Sequence, residues 1–509
     1  MRQADALTTM QTNENRYCRR EIFLARTKSI YWMAAAAIFA ATANMLCSAQ
    51  SASHMEPVKA DPAIQAAVRQ ISPQRVHDII EKLVSFGNRS TLSSLPPASG
   101  PLPAGQGVLA AADWIEAQFR QISAECNNCL EVKRDSFVET PQSRIIAPTP
   151  INNIYAVLRG SDPAQADRRV LVTGHYDSRN STNENTTDAA PGANDDASGV
   201  AVVLECARVL SKLKMPATVV FVTVAGEEQG LNGSRHLAKL AKSEGWKLEA
   251  VLNNDIVGGD TTPGDKMTRK DAVRVFSEGI PSTAVGDEKA IRSIRGLGTE
   301  SDSPSRELAR AIVSIGAEYP GGHTYGKHVQ LSVGGSPLTP VMEMRPDRYL
   351  RGGDHTSFNQ EGFPAVRFSE WRENFNHQHQ NVRTENGVEY GDLLKFVDTR
   401  YVANVARVNA ATLAVLASAP GEPRNVKIVT KELDNNSTLT WEAPEGAPAD
   451  TQYEVVWRAT ADPDWTNAKS VKGALTITLP VSKDNVFFGV RSVDPAGHRS
   501  ISVPPVPAR

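Results

Sequence analysis

Cysteine is scarce: five in 509 residues cannot build a disulfide scaffold. Neither sign of charge prevails, since 55 Lys and Arg stand against 57 Asp and Glu. The basic excess or stripe of a nucleic-acid binder is therefore absent, and no nucleic-acid partner is expected. Apolar runs of spanning length are missing as well. The stretch from Ile30 to Ala43 falls short of the ~20 residues that cross a bilayer. What remains, 40% hydrophobic and 22% charged, is an ordinary globular composition. At ~150 residues per domain the length corresponds to about three pieces.

Residues 1–49 read as a signal peptide. Arg16, Arg19, Arg20, Arg26 and Lys28 precede the short apolar run, and Cys47-Ser48-Ala49 offers small residues for a cut after Ala49. A secreted or periplasmic protein is expected, with no membrane span after signal removal. In an oxidising compartment Cys126 and Cys129 favour a local disulfide, because two cysteines cannot complete a structural zinc site. Cys206, within an apolar helical stretch, reads as a core thiol.

From residue 50 to 418 short apolar runs alternate with helical patterns. Val170–Thr173, Thr218–Ala225, Ala250–Asn253 and Pro364–Phe368 read as strands, and Val200–Leu213, Leu231–Ala241 and Phe396–Leu416 as helices. This alternation predicts an α/β domain with a mostly parallel sheet and helices on both faces. Composition changes at Ala417-Ser418-Ala419-Pro420-Gly421, an apparent linker. Residues 421–509 then show short strands separated by turn residues, predicting a small all-β sandwich. Trp441 and the stretch Phe488–Ser500 make this tail similar to a fibronectin type III domain, although Val486 stands where that family's corner tyrosine is expected. The linker suggests that the tail is separable from the α/β domain.

Acidic and histidine clusters fall where the parallel strands end, the edge at which open α/β sheets bind ligands. They are His175-Tyr176-Asp177-Ser178, Gly192-Ala193-Asn194-Asp195-Asp196-Ala197-Ser198-Gly199, Gly226-Glu227-Glu228, Asn253-Asn254-Asp255 and Gly353-Asp354-His355. Singly, each has a plain alternative: a loop histidine, a capping pair before a helix, a solvated acidic pair. Together they form a nitrogen- and oxygen-rich donor set suited to zinc. The motif His-Glu-x-x-His is absent, which argues against a single-zinc endopeptidase.

Over about Pro73 to Ala417 this ordered set resembles the family of secreted zinc exopeptidases that includes bacterial leucyl aminopeptidase, glutamate carboxypeptidase II and glutaminyl cyclase. Phe86-Gly87-Asn88-Arg89-Ser90 is similar to the family's N-terminal signature. The resemblance implies two zinc ions per chain bridged by Asp195. His175 and Asp255 would complete one ion's shell, and Glu228 and His355 the other's. It further implies Glu227 as the general acid/base and Asp177 as the carboxylate orienting His175. Tyr349 is a candidate oxyanion or substrate contact, with a surface tyrosine as the alternative. Arg345, Arg348 and Arg351 are candidates for gripping a carboxylate. His323, His328, His377 and His379 read as loop histidines.

The expected activity is removal of N-terminal residues from a peptide or small protein substrate. A carboxypeptidase on the same scaffold is the nearest alternative. An inactive homologue, acting as a binding or adhesion protein through its sandwich, is another. The sandwich is expected to bind a partner or polymer.

Overall fold

In the computed structural model, which describes residues 60–95, 102–262, 264–319 and 338–508, the apolar runs become the middle of one sheet. The leader assigned to residues 1–49 lies outside the described residues. Among the described residues no helix is long and apolar enough to cross a membrane.

Helices α1 (Pro62–Val68) and α2 (Pro73–Val84) start at side-chain caps. Asp61 accepts from the backbone N–H groups of Ala63 and Ile64, and Ser72 from that of Arg75, with Pro in the first turn of each helix. There follow α3 (Gly107–Glu125), β1 (Leu130–Glu139), β2 (Thr149–Leu158), β3 (Arg168–His175), α4 (Ala197–Leu210), β4 (Thr218–Val224), α5 (Asn232–Ser243), β5 (Lys247–Asn254) and β6 (Ala272–Ser277). Then come α6 (Glu288–Leu297), α7 (Pro304–Glu318), β7 (Thr339–Glu343), α8 (His355–Gln360), β8 (Ala365–Glu370), a small hairpin of β9 (Arg383–Glu385) and β10 (Val388–Tyr390), and α9 (Thr399–Ser418).

The eight-stranded sheet has the order β1-β2-β4-β3-β5-β8-β6-β7. The central four strands, β4, β3, β5 and β8, are mutually parallel, so their C-terminal ends share one edge. β2 joins β4 antiparallel, and β6 joins β8 antiparallel. Strand β4 is buried throughout and serves two cores. Val219 and Phe221 pack on the face covered by α2, α3, α4 and α9. Val220, Val222 and Val224 pack on the other, against Leu237, Ala238 and Ala241 of α5 and Phe358 of α8. Each such side chain contributes ~1.5–3 kcal/mol on burial. Cys126 and Cys129 are joined in a disulfide, and Cys206 is a buried free thiol.

The tail is a sandwich of β11 (Arg424–Val429), β12 (Ser437–Glu442), β13 (Gln452–Ala459), β14 (Asn467–Val471), β15 (Thr476–Leu479), β16 (Val486–Val493) and β17 (Val506–Ala508). One sheet runs β15-β12-β11-β17 and the other β14-β13-β16. Between them lie Trp441, Tyr453, Val455, Phe488 and Val490. The sandwich is not merely tethered. Arg458, 1% exposed, bonds Asp302 just ahead of α7, and the Trp465 indole N–H donates to Glu307 Oε2 at 3.0 Å. Arg310 Nε donates to the Pro463 carbonyl at 2.6 Å. These buried charges cross from the α/β body to the sandwich, contrary to the separable tail that the linker suggested.

Candidate active site

Strand β3 ends at His175, whose Nδ1 lies 3.1 Å from the carbonyl oxygen of Asp177. A carbonyl only accepts, so Nδ1 donates a proton to it and Nε2 faces forward. Forward of it are carboxylates: Asp195 Oδ1 at 3.1 Å and Asp255 Oδ1 at 4.0 Å. The Asp177 carboxylate ties two strand ends together. Its Oδ1 lies 3.4 Å from His175 Nδ1, while its Oδ2 accepts from Thr91 Oγ1 at 3.0 Å and from the Glu228 N–H at 3.2 Å.

Asp195 sits in the loop opening α4. Its own N–H and that of Asn194 donate to Asp392, at 2.7 and 2.8 Å. Asp196 caps α4 by accepting from the Gly199 N–H at 2.9 Å, and it also accepts from the His175 N–H at 3.0 Å. Arg89, fully buried, donates to the carbonyls of Leu83, Tyr176, Pro191 and Gly192, which draws the β3 and α4 loops together. At Gly192, φ is +52° and a Cβ would lie 2.5 Å from Ser178 Cβ, so the approach requires glycine.

A second group shares the same aspartate. His379 Nε2 lies 2.9 Å from Asp195 Oδ2 and 3.1 Å from Glu228 Oε2. His175, Asp195 and Asp255 thus form one triad able to hold a metal ion, and Asp195, Glu228 and His379 form another. The expectation for His355 is corrected here. That histidine opens α8, ahead of β8, and its Nε2 is engaged by the Pro346 carbonyl at 2.8 Å. His379 instead follows β8, whose C-terminal end faces the site, so the histidine read as a loop residue takes the place given to His355.

The donors fit a cation. His175 Nε2 and Glu228 Oε1 are buried without a hydrogen-bond partner, a costly state for polar atoms. Burial pushes the carboxyls of Glu227 and Glu228 above the ordinary range, and that of Asp255 up to about 7. Burial also opposes a charged His175, yet Asp177 and Asp195 outweigh it and hold the imidazole well above its usual value. So much buried negative charge calls for compensating positive charge.

Glu227 lies beside this cluster with its N–H 3.4 Å from Asp177 Oδ1 and its side chain half-buried. Asp255 is gripped by the buried guanidinium of Arg367, Nη2 to Oδ1 at 2.8 Å. The carboxylate of Asp354 is buried without a hydrogen bond, and burial pushes it up to about 7. Tyr349 is 81% exposed and lies under the Arg345 guanidinium at 3.9 Å, so the structure does not bring it into the buried cluster. Arg348 pairs with Asp347 and Glu373, and Arg351 pairs with Glu373. Sequence reasoning passed over His379, Gln378, Asp392 and Arg367. Only the first had a usable signal, a histidine pair in the loop after the last parallel strand. His323 and His328 lie outside the described residues.

Residues 153–284 match the model of peptidase family M28. Over 447 residues the chain is 44% identical to a "Probable zinc metalloprotease" of Leptosphaeria maculans, covering 87% of this chain and 97% of that protein. A protein of the same description from Pyrenophora teres f. teres is 42% identical, covering 89% of this chain and 88% of the relative. Similar solved structures include the LapA aminopeptidase of Legionella pneumophila, at 19% identity and a TM-score of 0.46, covering 74% of this chain and 79% of that one. Glutaminyl cyclase of Macrostomum lignano is similar at 17% identity and a TM-score of 0.46, covering 72% and 96%.

Proposed function

This chain belongs to the peptidase family M28 zinc metalloproteases, and we propose that it is an exported di-zinc aminopeptidase. The observation that carries this reading is the sharing of Asp195 by two donor triads, one with His175 and Asp255 and one with Glu228 and His379. Zinc bound there would supply Lewis-acid chemistry, lowering the pKa of water toward ~7 and polarising the scissile carbonyl.

The chain's own residues do the rest. Asp177 holds His175 by its Nδ1 side and orients the backbone of the Glu227-Glu228 turn. That turn sends the two glutamates to different tasks. Glu228 joins the donor set, and Glu227 takes a proton from water and later delivers it to the leaving amine.

Preference for the N-terminal end follows from charge. Asp195, Glu227, Glu228 and Asp255 make a field that complements an α-ammonium group. A terminal carboxylate would need a free cationic clamp. Arg348 and Arg351 are already paired with Glu373, and Arg345 lies over Tyr349, so none of these three arginines is free to serve the carboxypeptidase alternative as a clamp. An inactive binding homologue is disfavoured by the retention of Glu227 beside a complete donor set. We also propose that residues 421–509 are a fibronectin type III-like module that binds a partner or polymer.

Amino-acid anilides, assayed with and without chelator beside N-acetylated peptides, test the reading. Free N-termini should be trimmed one residue at a time and acetylated ones should resist. Trimming from the C-terminus with acetylated peptides accepted would replace it with the carboxypeptidase.

A further inference from the structure

The loop after β8 carries a second polar side chain to the shared aspartate. Gln378, 8% exposed, donates from Nε2 to Asp195 Oδ2 at 3.2 Å. Its Oε1 accepts from Arg351 Nη1 at 3.3 Å, and the same Nη1 donates to Glu373 Oε2 at 3.1 Å. A guanidinium has only donors and an ionised carboxylate only acceptors. The amide therefore has one orientation, oxygen toward Arg351 and nitrogen toward Asp195. Its neighbour His377 pins the loop, Nδ1 lying 2.6 Å from Asp260 Oδ2 and the ring stacking on Phe396 at 3.6 Å.

The contact is one-sided. Asp195 Oδ1 faces His175, whereas Oδ2 faces both His379 and Gln378. We infer that Gln378 is a positioning residue for the shared carboxylate, with Arg351 and Glu373 fixing the direction of its amide. This rests on the di-zinc reading. Gln378 aims Oδ2 toward the His379–Glu228 side, so its removal weakens one ion and spares the other. Hydrogen-bond partners of metal ligands are worth about 10–100-fold in metal affinity, which sets the expected scale.

Zinc affinities of the metal-free wild type, Gln378→Met, Arg351→Ala and the double variant, measured by competition with a chelating chromophore, test this. Two ions in the wild type confirm the reading beneath; fewer overturn it and this inference together. With two bound, Gln378→Met should weaken one ion about 10–100-fold and leave the other unchanged. Arg351→Ala should weaken the same ion less, and the double variant should be no worse than Gln378→Met alone. The visible absorption of cobalt(II) at that position should shift in Gln378→Met, a change that general loosening of the fold would not confine to one ion. Unaltered affinities, equal weakening of both ions, or additive losses overturn the inference. Arg351 has 31% of its side chain exposed and its removal leaves Glu373 paired with Arg274 and Arg348, so if Gln378→Met fails to fold, Arg351→Ala decides by the same criterion.

Discussion

Glu227 and Glu228 are adjacent in sequence and both desolvated, yet their surroundings separate them. Glu228 Oε2 lies 3.1 Å from His379, while Glu227 has no ion pair in the cluster. Glu227→Gln should therefore retain zinc and lose about two to four orders of magnitude in kcat, the scale of a general base. Glu228→Gln should first lose metal, and zinc analysis beside steady-state kinetics distinguishes the two. The histidines divide in the same way. His379→Ala should lose one zinc equivalent, whereas His355→Ala should keep both, because His355 belongs to neither triad. Equal zinc content in these variants would return the role to His355. His175, Asp195, Glu228 and Asp255 were legible because each follows an apolar run or opens a helix. His379 was not, since eight residues of loop separate it from Glu370 and no periodicity marks it. His355 attracted attention through its neighbours Gly353 and Asp354, but it precedes its strand.

At the scale of elements, the central strands were readable as unbroken apolar runs, and the edge strands were not. β1 alternates charge with apolar residues along Leu130–Glu139 and is largely solvated. β6 and β7 lie inside a charge-rich insertion between β5 and β8. That insertion both widens the sheet and carries α7, the platform on which the sandwich sits. A linker of small residues said nothing of this, because the contacts are made by Asp302, Glu307, Arg310, Arg458 and Trp465, distant in sequence. Arg458→Met should lower unfolding free energy by about 3 kcal/mol, near the lower end for breaking a buried ion pair, since Arg310 still partners Asp302. Ending the chain at residue 420 should cost more, leaving Glu307 and Arg310 without Trp465 and Pro463. Urea unfolding of both variants checks this; a truncated chain as stable and active as the full one would contradict it.

Across the whole molecule, the junction of body and sandwich responds to pH from two sides. Burial opposes a charged Glu454, but Arg491 and Arg499 outweigh it and hold the carboxyl at about 2. Its unfolded value is ~4.3, so the stabilisation, about 3 kcal/mol, is present above that pH and is lost as pH falls toward 2. His498, between Asp494 and Asp61, behaves oppositely. Burial disfavours its charge, yet the two carboxylates hold it above the ordinary histidine value. Its contribution is complete below ~6.5 and is lost as pH rises through the raised value. Thermal midpoints of Glu454→Gln and His498→Asn against pH should converge with wild type at low and at higher pH respectively. Within this frame the parallel strands bring their ends together, and Asp195 joins the two triads there. The most direct test is a zinc titration of the metal-free full-length protein, following bound metal and release of an amino-acid anilide together. Activity should appear as zinc binds, saturate at two equivalents per chain and vanish on chelation; full activity with a single tightly held ion would contradict the account.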